Sequence, residues 1–277
     1  MPIQREGSRR PFFCVHPVGG NVLAYAELAR RLGPDQPFYG LQSQGLDGAQ
    51  PPLEAVEEMA AYYIEAIRTV QPHGPYLLGG WSMGGMVAFE MARQLQRRGE
   101  HVEVLALIDP TPTPEAREAS TEDAAPDTVA LFARDLGRLT GLELPELPVA
   151  AGPEELLQAV LEEGRKRGVL IPEAGLTELR TLLQVFSANV RALRTYAPRH
   201  IEGKLTVLRA VDSVDLSAAG RDRGWGDKVA QGAEIQEVPG DHYSLLQPPH
   251  VEVLAERLKA LLDRAQASDS GGAEQAG

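Results

Sequence analysis

Apolar residues recur at two different periods along this 277-residue chain. Short apolar runs, typical of strands buried in a parallel sheet, alternate with segments whose apolar positions repeat every three or four residues, as in amphipathic helices. The runs that predict strands are residues 12–15, 37–41, 76–81, 102–108, 205–210 and 235–238. This alternation predicts an α/β fold in which a mostly parallel central sheet carries helices on both faces.

The alternation stops after residue 111, where helical patterns follow one another without intervening strands. We therefore predict an α/β core of residues 11–111 and 176–264 with a helical insertion at 112–175. An insertion of this kind is typical of a lid over an active site, although a helical packing subdomain would show the same pattern. Residues 1–10 are expected to be a linker remnant and residues 265–277, rich in Gly, Ala and Ser, a disordered tail.

Composition and charge narrow the function classes. The net charge of −12 argues against a nucleic-acid partner, because phosphate binding needs a basic face. No apolar stretch has the length needed to cross a bilayer, and the single cysteine, Cys14, fits a reducing compartment. We expect a cytoplasmic protein with no membrane partner, no metal and no bound cofactor.

The sequence Gly80-Trp81-Ser82-Met83-Gly84 lies where an apolar strand passes directly into a helical pattern. Strand, sharp turn and helix are the context in which Gly-x-Ser-x-Gly forms a nucleophile elbow. The turn strains its central residue, and we expect the flanking glycines to tolerate the turn because they lack a Cβ. This predicts a catalytic serine at Ser82, against the alternative of a glycine-rich turn.

A serine nucleophile needs a base, and the base needs an orienting acid. Of the six histidines, only His242 follows a late strand in a glycine-containing loop, where it can reach Ser82. Asp109 ends the strand 102–108, at the edge where open α/β sheets place ligands, and is the preferred acid. Asp212 and Asp215 follow the next strand and are the alternatives. The order Ser82, Asp109, His242 is that of α/β-hydrolases.

A second glycine-rich segment, His-Pro-Val-Gly-Gly-Asn at residues 16–21, joins the first strand of the core to a helical pattern. Such a loop can direct free backbone N–H groups at one point and so hold an anion or a developing oxyanion. An ordinary tight turn would have the same composition.

Four segments together resemble a known family: residues 13–20, the elbow at 79–85, the strand end at 107–109 and Gly-Asp-His-Tyr at 240–243. They are similar to the thioesterase domains that end nonribosomal peptide and polyketide synthases, which are α/β-hydrolases, and the similarity runs from residue 11 to about 262. It implies that Ser82 takes an acyl or peptidyl chain from the phosphopantetheine arm of a carrier protein, for release by hydrolysis or macrocyclisation. It also implies an oxyanion hole formed by the backbone N–H groups of Val18 and Met83.

Three interpretations follow from the resemblance. The first is a release domain cut from a synthase, with the carrier domain upstream in the same polypeptide. The second is a stand-alone editing thioesterase; such proteins usually carry His before the serine, so Trp81 counts against it. The third is a catalytically silent α/β-hydrolase-like binding module, which would require an incomplete triad. All three triad residues are present in the sequence, which favours the first interpretation.

Overall fold

A seven-stranded sheet lies at the centre of the computed structural model, which describes residues 1–110, 128–141, 153–168, 175–213 and 221–272. The strand order is β1-β3-β2-β4-β5-β6-β7, and every neighbouring pair is parallel except β1 with β3. The strands are β1 (Pro2–Gln4), β2 (Phe12–Val15), β3 (Phe38–Leu41), β4 (Tyr76–Trp81), β5 (Val102–Ile108), β6 (Leu205–Ala210) and β7 (Ala233–Val238). The carboxyl ends of the parallel strands therefore meet at one edge.

Helices cover both faces of the sheet, as predicted. Those described are α1 (Ala26–Leu32), α2 (Val56–Arg68), α3 (Met83–Arg97), α4 (Thr128–Thr140), α5 (Pro153–Lys166), α6 (Leu176–Thr195) and α7 (His250–Gly272). Side chains alternate along β2, so Phe13 and Val15 join a core cluster with α2 and α3, while Phe12 and Cys14 join another with α1 and α7. None of the described helices is long and apolar enough to cross a membrane.

The helices of the insertion share an apolar cluster with α6, the helix that follows the insertion. Helices α4, α5 and α6 share it through side chains such as Phe132, Leu161 and Phe186. Val18, in the loop after β2, packs against the same cluster, so the insertion lies over the carboxyl edge of the sheet. The prediction of a helical insertion into an α/β core is confirmed. Its stretches 112–127, 142–152 and 169–174 lie outside the described residues.

The two ends of the chain are more ordered than the sequence predicted. Pro2–Gln4, in the expected linker remnant, pairs with β3, and α7 continues to Gly272. The prediction of a disordered tail from residue 265 is therefore wrong for residues 265–272. Residues 273–277 lie outside the described residues. At residues 265–267 the helix continues because Ala and Gln are favourable in helices and because Arg10 docks there: Arg10 donates from its backbone N–H to Gln266 Oε1 (2.7 Å) and from its guanidinium to the Ala265 carbonyl (2.7 Å).

Candidate active site

Ser82 occupies the sharp turn between β4 and α3. Its backbone lies in an unfavourable region, with φ 57° and ψ −123°, which an L-residue adopts only when its surroundings hold it there. Its N–H donates to the carbonyl of Ile108 (2.9 Å), the last residue of the neighbouring strand β5. The turn therefore fixes Ser82 at the carboxyl edge of the sheet, next to the residue that follows β5.

The elbow glycines serve close packing rather than strain. Neither Gly80 nor Gly84 has a positive φ, so Ser82, the central residue, carries the strain of the turn, as expected. A Cβ at Gly80 would overlap the carbonyl of Gly84, and a Cβ at Gly84 would overlap the carbonyl oxygen of Val15. Glycine is needed at both positions because helix α3 starts in contact with strands β2 and β4.

Asp109 and His242 lie in direct contact at the same edge. The Nδ1 atom of His242 is 2.5 Å from Asp109 Oδ2, although the two residues are 133 positions apart. Within the described residues three further groups donate to this fully buried carboxylate: Ser213 Oγ to Oδ2 (3.2 Å), and both the Ala210 N–H (3.0 Å) and the Arg223 guanidinium (3.0 Å) to Oδ1. Both oxygens are thus occupied, and the carboxylate has one orientation.

The surroundings of Asp109 keep it ionised. Burial by itself raises the pKa of this carboxyl, but the hydrogen bond and charge of His242, the charge of Arg223 and the Ala210 N–H outweigh burial, so the pKa lies below its usual range. An ionised carboxylate only accepts hydrogen bonds, so His242 donates from Nδ1 and has Nε2 free to accept a proton.

The alternative acid, Asp212, does not lie against His242. It is exposed, its backbone N–H donates to the Gly240 carbonyl (3.0 Å), and its carboxylate accepts from the Gly240 N–H (3.2 Å). Asp212 therefore ties the end of β6 to the loop that carries His242. The second alternative, Asp215, lies outside the described residues.

The loop after β2 is built as a closed turn. The Gly20 N–H donates to the Pro17 carbonyl (2.9 Å), and Gly20 has the left-handed φ of +84° that glycine adopts without penalty. The Val18 carbonyl accepts from the side chain of Asn189 in α6 (2.8 Å), which fixes the turn to that helix. Met83, the other predicted oxyanion-hole residue, is the first residue of α3, where a backbone N–H has no partner within its own helix.

His16, at the start of this loop, has a structural role. It is fully buried, with one ring nitrogen 2.7 Å from the Pro17 carbonyl and the other 2.7 Å from the Tyr63 hydroxyl. Burial lowers the pKa of His16 to about 4, so the ring is neutral at physiological pH. Both nitrogens are engaged in holding the loop, so His16 has no ring nitrogen to offer as a base.

Comparison with known proteins decides the family. Residues 10–262 match the family model described as a thioesterase domain. The chain belongs to the thioesterase domain family. It is 33% identical over 266 residues to a dimodular nonribosomal peptide synthase of Bacillus subtilis (strain 168), an alignment that takes in 94% of this chain and 11% of that protein. The chain thus spans only about a ninth of this curated relative.

Solved structures give the same result. A four-domain nonribosomal peptide synthetase bound to AMP and glycine has a TM-score of 0.84 and 31% identity, over 94% of this chain and 20% of that one. The NocB thioesterase domain, in covalent complex with a fluorophosphonate nocardicin G analog, has a TM-score of 0.63 and 26% identity, over 92% and 96%. The fold is therefore that of thioesterase α/β-hydrolase domains.

Trp81 has a structural task in this thioesterase domain. Its indole N–H donates to the backbone carbonyl of His242 (3.0 Å), and the indole and imidazole centroids are 5.2 Å apart. The Trp81 backbone N–H donates to the Tyr25 hydroxyl (3.0 Å), which in turn donates to the Val15 carbonyl (2.6 Å). The residue before Ser82 thus fixes the loop of His242 to the centre of the sheet.

The insertion contacts this thioesterase site through residues that the sequence did not reveal. Tyr243, next to His242, donates from its hydroxyl to Asp135 of α4 (2.9 Å), and the Arg138 guanidinium lies 5.3 Å from the centroid of the Tyr243 ring. Burial raises the pKa of Asp135, even though the hydrogen bond from Tyr243 opposes this. Asp135 and Tyr243 are 108 positions apart, and no local pattern in the sequence pairs the two residues.

Proposed function

We propose that this thioesterase domain releases a peptidyl or polyketide chain from a carrier-protein thioester through an acyl-enzyme on Ser82. The observation that carries the proposal is the short Asp109–His242 contact beside the strained Ser82 turn. Trp81 and Ile108, the last residues of β4 and β5, pair across these parallel strands. Ser82 and Asp109 directly follow them and so lie at neighbouring positions on the carboxyl edge. A silent binding module would have no need to keep a buried carboxylate against this imidazole.

The arrangement supports a two-step acyl transfer. The Ser82 hydroxyl attacks the thioester carbonyl while His242 Nε2 takes its proton, and Asp109 stabilises the imidazolium. The oxyanion would accept hydrogen bonds from the backbone N–H groups of Val18 and Met83. Collapse expels the phosphopantetheine thiolate, which takes the proton from His242 and leaves the acyl ester on Ser82. Water or an internal amine or hydroxyl then attacks the ester by the same route, giving hydrolysis or macrocyclisation.

The comparisons support a carrier protein as partner. The relatives are large synthases, and this chain corresponds to 11% of one and 20% of another. A domain of this kind would receive its substrate on the phosphopantetheine arm of a carrier domain in the same polypeptide, and the arm arrives with that carrier. This favours the release domain over the stand-alone editing thioesterase.

The proposal is tested by covalent labelling with a fluorophosphonate, the class of reagent that forms a covalent complex with the NocB thioesterase domain. Peptide mass spectrometry should find the adduct on Ser82, and Ser82→Ala should abolish it. Ser213→Ala is the matched control, since the Ser213 hydroxyl lies on Asp109 yet is not the proposed nucleophile. Labelling of another residue, or no labelling of the folded domain, would overturn the proposal.

A panel of thioesters tests the substrate class. A release domain should turn over long peptidyl or polyketide thioesters faster than short acyl thioesters, because binding along the chain contributes to transition-state stabilisation. An editing thioesterase should show the reverse order, and that outcome would count against the release function while leaving the Ser82 chemistry intact.

A further inference from the structure

A buried arginine lies against the carboxylate of Asp109. Arg223 Nη2 is 3.0 Å from Asp109 Oδ1, whereas His242 contacts Oδ2, and Arg223 Nη1 donates to the Pro110 carbonyl (3.0 Å). The Arg223 side chain is 9% exposed, so its charge is poorly screened by solvent. Buried arginines are uncommon unless their charge is paired, and the partner here is the proposed catalytic acid.

The turn that carries Arg223 is held in place independently of this contact. Arg223 has a left-handed φ of 56°, and the preceding Asp222 accepts hydrogen bonds from the backbone N–H groups of Gly224 (3.1 Å) and Gly226 (2.9 Å). The next residue but one, Trp225, is fully buried against Phe89 of α3, with ring centroids 5.0 Å apart. The guanidinium is therefore aimed at Asp109 before any substrate binds.

We infer that Arg223 is a positioning residue of this site, which fixes the orientation of Asp109 and sets the pH range in which His242 can act as the base. The inference rests on the proposed function. Two N–H groups of one guanidinium bridge Oδ1 of Asp109 and the next carbonyl along the chain, so Asp109 cannot rotate away from His242. Lysine, with a single donor centre, could not make the same bridge as well.

The charge of Arg223 supplies the second part of the effect. His242, Arg223, Ser213 and the Ala210 N–H face Asp109, and Arg209 is a further cation that acts on Arg223. His242 also contacts the rings of Trp81 and Tyr243, and the Asp135 carboxyl of α4 acts on His242 in the sense opposite to Arg223. In the resting site the charges of Arg223 and Asp109 offset each other. A proton on His242 adds a second positive charge beside the same carboxylate, and Arg223 opposes it. Removing the charge of Arg223 should therefore make a proton on the imidazole more favourable.

The test is the pH dependence of fluorophosphonate labelling of Ser82 in wild type, Arg223→Gln and Arg223→Lys. The labelling rate should fall at low pH (the acid limb) and level off at higher pH (the plateau). In Arg223→Gln the acid limb should move up by about one pH unit, because a unit positive charge has been removed from beside Asp109 and His242. The plateau rate should fall as well. Arg223→Lys should keep the wild-type limb but lose about tenfold in plateau rate. The matched control is Arg221→Gln, which removes an exposed arginine of the same turn that pairs with Glu237, and both limb and plateau should stay unchanged.

A slower Arg223→Gln with an unshifted limb would overturn the inference, because a purely structural arginine would give that result. Circular dichroism establishes which variants fold. If Arg223→Gln does not fold, Arg223→Met, which is also neutral, takes its place in the pH comparison, and an unshifted limb in that variant overturns the inference. A wild-type plateau rate in Arg223→Lys overturns it in either case. Absence of Ser82 labelling in the wild type would instead overturn the proposed function, so the two failures are distinct.

Discussion

Replacing Asp109 by asparagine tests how the carboxylate is held. The four groups around it all donate: His242 and Ser213 to Oδ2, the Ala210 N–H and Arg223 to Oδ1. Asparagine keeps one acceptor oxygen and presents an NH2 group at the other position. In either orientation the NH2 group of the new amide therefore faces groups that donate to Asp109. The relative energies of the two orientations decide which one forms.

With NH2 toward Arg223 and Ala210, neither neighbour can accept, so lost hydrogen bonds of about 1–3 kcal/mol each add to the loss of the carboxylate charge beside a buried guanidinium. With NH2 toward His242, the amide oxygen still accepts from Arg223 and Ala210 and the imidazole can accept at Nδ1, so the main cost is the lost counter-charge of Arg223, about 3–5 kcal/mol. The second orientation should win. It puts the ring proton on Nε2, the wrong tautomer to take the proton of Ser82, so turnover should fall about 10⁴-fold.

Thioester turnover and urea unfolding measure the two effects in the same preparation. We expect Asp109→Asn to lose activity by about 10⁴ and unfolding free energy by about 3–5 kcal/mol. Asp212→Asn is the control: Asp212 is exposed and bonded to Gly240, so its activity should stay within about tenfold of wild type. The reasoning is refuted if Asp109→Asn keeps a tenth of the activity, or if Asp212→Asn is the more damaging change.

Three further results follow from the structure. The pKa of Asp109 is depressed in the folded state, so its stabilising effect is complete above the unfolded-state pKa of about 3.9 and is lost as pH falls through the folded-state pKa. The difference in unfolding free energy between wild type and Asp109→Asn, measured by urea titration, should therefore narrow below about pH 4. Gly84→Ala should lower the free energy of unfolding by more than about 2 kcal/mol, measured by thermal unfolding. Gly19→Ala is the control: its new Cβ would have no neighbour nearer than 3.7 Å, so the free energy of unfolding should change by less than about 0.5 kcal/mol. Equal effects of the two changes would contradict the packing argument. Trp81→Phe should lower kcat about tenfold with little change in KM, because the carbonyl of His242 loses its donor, and an unchanged kcat would show that this hydrogen bond does not position the base.

The fold was predictable because its strands and helices differ in apolar period. The buried runs at 12–15, 76–81 and 102–108 became β2, β4 and β5. Parallel strands bring their carboxyl ends to one edge, so residues that follow strands, such as Ser82 and Asp109, are expected to lie together at that edge. The end of a strand can be recognised in a single sequence from the point where its apolar run stops.

Contacts between distant loops were not predictable, because they depend on tertiary packing. Arg223 has no partner within its own turn that would mark it as a neighbour of Asp109, and Asp135 meets Tyr243 only because α4 lies over the carboxyl edge. The neighbour that makes glycine necessary at position 84 was hidden for a similar reason: the close approach of β2 to the elbow is invisible in a local pattern. The roles of these residues arise only where separate loops meet in the folded chain.

The most direct test of the central claim is to trap the acyl-enzyme. The folded domain is mixed with a peptidyl thioester of phosphopantetheine, quenched in acid within the first turnover and digested for mass spectrometry. We predict an acyl ester on Ser82 that is absent from Ser82→Ala and forms far more slowly in His242→Ala. Product formation from the thioester at an undiminished rate in Ser82→Ala would contradict the account.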